Sequence, residues 1–595
     1  MENIKINQNI YDYILSQNQN VKNRIAVEYF GREYTFDDVI KNISMVMKSL
    51  NELNIEEKDN VIILGLATPE FVFIMYALAK MNIMVNILNP LDSESYNNII
   101  KRLNPKLVFC YDEFYKKLSG KIEDSKIVII SPFNSLPIPM KVVGKIKNPI
   151  INRNCIKYKE FILLGKNSTK KLELSDNYIP NKKIIEIGTG GSTGIPKQVG
   201  ISNEMLNNIV YQHELMNKYK CFDVSFNDGE TFLDIIPPHL AYGICDIHLA
   251  LSLRLKLCLE PNPDPKIFVK QLKTHKPHHV LAGPVHWKEL ITCENKIDLS
   301  NIKNAVAGGE HLENDDEIKT NKKLQEYGSK TTVREGVGLT EICGVGTYNS
   351  TGDLFTVGRP LPEYQVGIFK VNMDEEYNDN THLEDELCKV YYKKEEDGEL
   401  EITSTGINSI NSSGEICYQL PIKILGYVGY EHKKENDALI RLHEDGKYWI
   451  HTGDIGYIND KRNLVITDRI KRVFNRNGWK IYPNQISKIV TDSGLVKECT
   501  VIKRESLIQG ESYVPILYAV LKEDNCQNEE KLLKWCNDKI TGNSKLYEII
   551  FTTELPKTGA GKVNFNQVEK YDKAHNSAVT NNNNANKKIK KIELK

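Results

Sequence analysis

The chain has 595 residues, 41% of them hydrophobic, and its 78 basic residues balance 78 acidic ones. That length exceeds one hydrophobic core, so roughly two to four domains are expected. The neutral balance excludes a nucleic-acid or membrane-surface role driven by net charge. Twelve cysteines are scattered, with no C-x-x-C pair and no His–Cys cluster at metal-ligand spacing along the chain. A reduced, cytoplasmic chain without a zinc site is the expectation. Residues Met1 to Asn20 are polar and lack the apolar core of a signal peptide. The longest apolar stretch, Val72 to Leu88, is interrupted by Lys80, Asn82 and Asn86, so no membrane span is expected.

In chain order, Thr35-Phe36-Asp37-Asp38 reads as a capping box, followed by Val39, Ile40, Ile43, Val46, Met47 and Leu50 at helical spacing. Val61 to Leu66 is a continuous apolar run, hence a buried strand, and Thr68-Pro69 opens a helix to about Met81. Strands are predicted at 84–88, 107–110, 127–130 and 184–187, then at 232–236, 255–259, 280–283 and 305–308. Helices are predicted at 267–275 and 310–327. Apolar, non-alternating strands alternating with helices mean an α/β chain with mostly parallel sheets covered by helices. Ligands in such sheets gather at the carboxyl ends of strands. From 372 to 413 Asp, Glu, Asn, Ser and Thr dominate, which reads as an exposed insertion. After a strand at 464–467 the texture becomes that of a smaller α+β unit, with strands near 479–482, 499–503 and 514–521 and helices near 484–492 and 529–539. The Asn- and Lys-rich end, 572–595, is expected to be disordered. The organisation predicted is a large N-terminal domain over 1–467, a hinge at 468–472, a small mobile C-terminal domain over 473–571 and a tail.

Five segments carry chemistry. Thr189-Gly190-Gly191-Ser192-Thr193-Gly194-Ile195-Pro196-Lys197 follows an apolar strand. Its glycines let backbone N–H groups approach an anion, and its hydroxyls and the Lys197 ammonium add further donors, as a polyphosphate requires. The nucleoside-triphosphatase P-loop needs G-x-x-x-x-G-K-[ST], and Ile195-Pro196 between Gly194 and Lys197 rules that motif out. Gly338-Leu339-Thr340-Glu341 sets a hydroxyl beside a carboxylate, and a hard cation such as Mg²⁺ takes a carboxylate together with phosphate oxygens. Thr340 and Glu341 also suit the start of a helix, whose dipole favours both. Thr452-Gly453-Asp454 offers a carboxylate able to accept from two vicinal hydroxyls. Asp468-Arg469 with Lys471 follows a strand. Leu555-Pro556-Lys557-Thr558-Gly559-Ala560-Gly561-Lys562 is a flexible loop tipped by a lysine.

The order and spacing of these segments resemble the adenylate-forming superfamily of acyl-CoA synthetases, adenylation domains and luciferases, over roughly residues 25 to 570. The resemblance implies that Thr189, Gly190, Gly191, Ser192, Thr193, Gly194 and Lys197 hold the β- and γ-phosphates of ATP. It implies that Thr340 meets the α-phosphate and Glu341 serves Mg²⁺, with Gly338 in the same turn. Gly308-Gly309-Glu310 looks like the adenine-side segment. Asp454 and Arg469 inherit the ribose, Lys471 the hinge, and Lys562 the catalytic cation between the carboxylate and the α-phosphorus. Supporting matches are Ser413-Gly414-Glu415-Ile416, Gly426-Tyr427 and Gly358-Arg359-Pro360.

Pro237-Pro238-His239-Leu240-Ala241-Tyr242-Gly243 resembles the acyl-pocket segment, which places His239, Leu240, Tyr242 and Gly243 by the acid. Leu240 cannot hold a substrate ammonium, so an acid without an α-amino group is favoured. Asp246 reads as an N-terminal helix residue. Phe474-Asn475-Arg476-Asn477-Gly478 resembles the thiol entrance, with Asn475 in the place of the usual lysine and Gly478 kept. Arg472, Arg476 and Lys480 are candidates to replace that charge. Gln198 stands for the usual glycine after Lys197, Val337 for an adenine-stacking aromatic, and Asp468 for a glycine. The implied function is activation of a small carboxylic acid with ATP and Mg²⁺ to acyl-AMP and pyrophosphate, then transfer to a thiol, with coenzyme A foremost. A carrier-protein phosphopantetheine in trans, and a non-catalytic nucleotide-binding homologue, remain alternatives. The acid's identity and the oligomeric state are left open.

Overall fold

The computed structural model describes residues 6–93, 95–118, 120–122, 125–137, 155–172, 174, 178–189, 197–371, 386–396, 398–476, 479–507, 513–557, 563–576 and the backbone of 589–592. One sheet runs Cys155–Lys157, Lys126–Ile130, Leu107–Tyr111, Asn60–Leu64, Met84–Ile87, Lys183–Gly188 and Gln198–Ser202. Every pair in it is parallel except the last, where Lys183–Gly188 and Gln198–Ser202 form an antiparallel hairpin. A second, nine-stranded sheet is parallel from Val333–Leu339 through Asn304–Gly308, His279–Ala282, Thr231–Asp234 and Lys256–Leu259 to Ile25–Tyr29. Antiparallel strands close both of its edges.

Between strands the sequence signals do what was expected of them. Thr35 and Asp38 make the capping box of helix Phe36–Glu52, and Thr68 caps helix Pro69–Lys80 through the Phe71 N–H. Helix Pro69–Lys80 is buried on nearly every face, as its apolar composition requires. Polar pins fix it to its neighbours. The Tyr76 hydroxyl lies 2.9 Å from His248 Nδ1, and His248 Nε2 lies 3.0 Å from Asn207 Oδ1. Asn207 donates its amide to backbone carbonyls, so its oxygen accepts, which sets the His248 tautomer. Burial holds His248 neutral, its pKa pushed down to about 3.

A third sheet is antiparallel throughout, in the order Leu400–Thr405, Glu386–Lys394, Gln365–Phe369, Gly414–Gln419, Tyr448–Ile458 and Ile440–Leu442, with Leu464–Arg469 also on Tyr448–Ile458. Part of the segment 372–413, read from the sequence as an exposed insertion, belongs to it. Residues 372–385 lie outside the described residues, but 386–394 and 400–405 form a hairpin extending this sheet. Their alternation was hidden by surface charge, since only Cys388 and Val390 are fully buried among the described residues of the hairpin.

The small C-terminal unit has the hairpin Phe474–Arg476/Trp479–Ile481 and a sheet of Val496–Glu505, Tyr513–Leu521, Glu548–Thr552 and Ile589–Ile592. Helices Pro483–Thr491 and Cys526–Lys539 share its core. Of the tail expected to be disordered, 572–595, residues 577–588 and 593–595 lie outside the described residues, and 572–575 and 589–592 belong to regular elements. Helix Phe565–His575 carries Asp572 into a buried cluster with Arg504, and Ile589–Ile592 pairs parallel to Glu548–Thr552. Polar composition concealed both elements. None of the twelve cysteines is disulfide-bonded. No helix among the described residues is long and apolar enough to cross a membrane.

Candidate active site

The strands on either side of the glycine-rich segment, Lys183–Gly188 and Gln198–Ser202, pair as an antiparallel hairpin. Its base is closed by the Thr189 N–H donating to the Lys197 carbonyl at 2.8 Å. Gly190, Gly191, Ser192, Thr193 and Gly194 lie outside the described residues. Beneath the base sits a buried polar network that sequence reasoning passed over. Glu186, within the apolar strand, is fully buried and takes Arg102 at 2.6 Å, with Lys183 also paired to it. Asn86 reaches both Glu186 (3.2 Å) and the Gln198 carbonyl oxygen (2.9 Å). Burial would raise the Glu186 pKa, but Arg102 and Lys183 outweigh it and hold it below the usual range. Gln198, which replaces a glycine of the expected pattern, is thus a strut of the hairpin. The signal was present: Asn86 and Glu186 are isolated polar residues inside otherwise apolar strands.

Lys197, next to the hairpin base, lies 4.6 Å above the Tyr427 ring and 3.3 Å from Glu435 Oε1. The Tyr427 hydroxyl donates to Glu341 Oε1 at 2.7 Å. Tyr427 is itself clamped, its N–H and C=O both bonded to the Asn436 side chain. Its segment is pinned to strand Gln198–Ser202 by Gly200 N–H to Gly426 O and Val428 N–H to Gln198 O. Thr340 and Glu341 stand half-buried in a single 3₁₀ turn, Thr340–Ile342, at the end of strand Val333–Leu339. That turn replaces the helix start considered above, and it packs against strand Gln198–Ser202. Gly338 makes the turn attainable. A Cβ there would lie 2.0 Å from the Gly344 carbonyl oxygen across the hairpin.

Asp454 and Arg469 are cross-strand partners, joined Oδ1 to Nε at 2.8 Å. The Arg469 charge is close enough to act on Tyr427, so this pair and the Lys197–Tyr427–Glu341 group share one site. Gly308 ends its strand with the Tyr242 ring against it, and its neighbour Gly309 is exposed. Glu310 Oε1 and the Tyr242 hydroxyl are buried with no hydrogen-bond partner among the described residues. Orphaned buried polar atoms of that kind are what a polar ligand satisfies.

On the acid side, Leu240 caps helix Ala241–Ser252, and Gly243 lets that helix abut the preceding turn. A Cβ at Gly243 would stand 2.6 Å from the Ile236 and Pro237 carbonyl oxygens. His239 is buried, which pushes its imidazole down to about 4 and keeps it neutral. Asp246 is not in the first turn but sits deep in the helix. It is buried and interacts with Asp234, whose own carboxyl burial pushes up to about 8. Burial, with Asp234 adding to it, also raises Asp246, so neither is a ready counter-ion for an ammonium.

At the junction with the small unit, Asp468 is buried and accepts from the Arg469 N–H (2.8 Å) and the Asn484 N–H (2.9 Å) at the start of helix Pro483–Thr491. Burial pushes its carboxyl up to about 6. Arg472 bonds Asn484 and lies 5.0 Å over the Phe565 ring, while Lys471 is exposed. Asn475 pairs with Lys480 across the hairpin, and Gly478 and Lys562 lie outside the described residues. Arg476 is taken by the carbonyls of Asn543 and Lys545. With Arg472 engaged as well, Lys480 is the exposed member of the three candidate cations.

The profile of the AMP-binding enzyme family matches residues 15–388, and that of the AMP-binding enzyme C-terminal domain matches 485–562. The chain belongs to this family of AMP-binding enzymes. A long-chain-fatty-acid–CoA ligase of Bacillus subtilis is 24% identical over 562 residues, covering 91% of this chain and 90% of the relative. A 4-coumarate–CoA ligase of Arabidopsis thaliana is 22% identical, covering 90% and 87%. Among solved structures, an anthranilate CoA ligase in complex with anthranoyl-AMP superposes with a TM-score of 0.72 at 17% identity, over 95% of this chain and 97% of that one. The o-succinylbenzoate CoA synthetase of Bacillus subtilis, in complex with ATP and magnesium ion, gives 0.69 at 17%, over 94% and 99%. The fold is therefore that of adenylate-forming enzymes.

Proposed function

We propose that this enzyme activates a carboxylic acid with ATP, forming acyl-AMP and pyrophosphate, and passes the acyl group to the thiol of coenzyme A. The observation that carries the reading is the convergence of Lys197, Tyr427, Glu341, Asp454 and Arg469 at one place from four distant stretches of chain. The donor set fits the ligands. Glu341 with Thr340 offers hard oxygens suited to Mg²⁺, and Glu310 Oε1 and the Tyr242 hydroxyl lack partners among the described residues. When bound, Mg²⁺ supplies charge neutralisation to the phosphates.

Each residue then has a task. Lys197 and the hairpin tip hold the outer phosphates, and Tyr427 fixes the orientation of Glu341. Asp454 accepts from the ribose hydroxyls while Arg469 keeps its carboxylate aimed. Lys562 is assigned to stabilise charge as the acid's oxygen bonds to the α-phosphorus and the bond to pyrophosphate breaks. Residues 468–472 serve as the hinge between a domain ending at 467 and a lid beginning at 473. Lys471 is exposed within it, and the lid's rotation admits the thiol past Asn475 and Gly478. Leu240 at the helix cap favours an acid without an α-amino group. We place the reaction in the cytoplasm.

Lys562→Ala is expected to abolish acid-dependent pyrophosphate release while thioester formation from supplied acyl-AMP survives. Unchanged rates in both half-reactions would overturn the role given to Lys562. A screen of short, medium, long and aromatic acids, run with coenzyme A or with a holo-carrier protein, identifies the acid and the acceptor. No pyrophosphate release with any acid would favour a non-catalytic nucleotide-binding protein.

A further inference from the structure

A second group of chemically reactive side chains lies in the antiparallel sheet. Glu415 and Cys417 are two residues apart on strand Gly414–Gln419, and so point to one face. His451 is the cross-strand partner of Cys417. Glu415 and Cys417 are fully buried, and His451 is 5% exposed. His451 Nδ1 lies 2.9 Å from Glu415 Oε2 and 3.4 Å from Cys417 Sγ, and the three donor atoms all fall within 4.8 Å of one another. On the ring's other side, His451 Nε2 faces His443 Nε2 at 2.9 Å. Phe369 and Trp449 wall the group off.

The proton count is awkward for a plain hydrogen-bond cluster. Nδ1 carries at most one proton, yet a carboxylate oxygen and a thiol sulfur both converge on it. If that proton goes to Glu415, no acceptor is left on Nδ1 for the thiol. One cation in place of the proton satisfies nitrogen, oxygen and sulfur together. We propose that Glu415, Cys417 and His451 form a binding site for a borderline-soft divalent cation, best matched by Zn²⁺, whose usual ligands are these three types. Tetrahedral bonds of about 2.0 Å to N and O and about 2.3 Å to S imply N···O of about 3.3 Å and N···S of about 3.5 Å. The N···O and N···S distances need to open by only a few tenths of an ångström.

Binding exchanges protons in a balanced way. The Cys417 S–H bond breaks and releases its proton to solvent as the S–Zn bond forms. The His451 proton moves from Nδ1 to Nε2 and stays on that ring, and His443, with its own proton on Nδ1, accepts the resulting Nε2–H hydrogen bond. Two ligand charges then balance the cation, with Arg441 near enough to act on Cys417 as an outer positive charge. The three side chains supply three of the four ligands that Zn²⁺ usually takes. The cation would tie strand Gly414–Gln419 to strand Tyr448–Ile458 just before Asp454, where Glu415 Oε1 already accepts the Gly453 N–H at 3.0 Å.

The test uses the full chain, stripped with chelator and reloaded with one equivalent of Zn²⁺ or Co²⁺. About one metal per chain is expected to survive gel filtration, with a raised melting temperature and, for Co²⁺, a sulfur-to-cobalt charge-transfer band. Cys417→Ser and His451→Gln should remove the band and weaken binding at least tenfold. Cys417→Ala is a second variant should either fold poorly. Cys258→Ser is the control, because Glu28, Cys258 and His275 form the other such group among the described residues. Substoichiometric metal in the folded wild-type chain, or a band unchanged in Cys417→Ser and lost in Cys258→Ser, would overturn the assignment.

Discussion

At the scale of single residues, the site depends on charges placed where the sequence pattern alone would expect apolar groups. Glu186 shows the logic, since a buried carboxylate is tolerated only because two cations and an amide meet it. Asp468 shows the opposite balance. Two backbone N–H groups are weaker compensation, and burial leaves its folded pKa at about 6, above the unfolded value of about 3.9. The folded chain therefore binds more protons between those values. The stabilisation this group contributes is complete below about pH 4 and is lost as pH rises through 6. Asp468→Asn keeps a side-chain acceptor without the titration. Its stability relative to wild type should rise by on the order of 2 kcal/mol between pH 4 and pH 7. A difference in melting temperature that stays flat over that range would show that the shift is absent.

At the scale of elements, most functional side chains sit where a strand stops. Lys197 abuts the base of one hairpin, and Thr340 and Glu341 follow the first strand of another. The second hairpin depends on Gly338, whose missing Cβ admits the Gly344 carbonyl. Gly338→Ala should therefore push the two strands apart, costing about 1–3 kcal/mol by overpacking. It should also cut ATP-dependent pyrophosphate release far more than the stability loss explains, because Thr340 and Glu341 move with the strand. Denaturant melts paired with turnover at saturating ATP measure both. Normal turnover in a destabilised variant would mean that the turn is not held by this contact.

For the whole molecule, the small unit is closed by residues near the chain's end. Arg504, buried, is shared by Glu548 and Asp572, and the Tyr518 hydroxyl donates to Asp572 at 2.7 Å. A chain cut after residue 571 leaves the Arg504 charge half-compensated, a loss of about 3–5 kcal/mol for a broken buried pair. A chain cut after residue 576 keeps the pair and, of the described residues, loses the edge strand Ile589–Ile592. Limited proteolysis should find the small unit degraded in the shorter chain and largely intact in the longer one. Equal resistance would show that Asp572 is not an anchor.

The sequence by itself determined the alternation of helices and strands, the capping boxes, the family resemblance and the glycine-rich and Thr-Glu segments. All of these are local, written in spacing and in residues whose backbone preferences act within a few positions. Only the tertiary structure decided that Tyr427 orients Glu341, that Glu435 faces Lys197, that Arg476 is spent on carbonyls, and that Glu415, Cys417 and His451 meet. Those pairings join positions as many as 238 residues apart. They depend on strand order and on which face of a sheet each side chain takes, and no window of sequence contains that information.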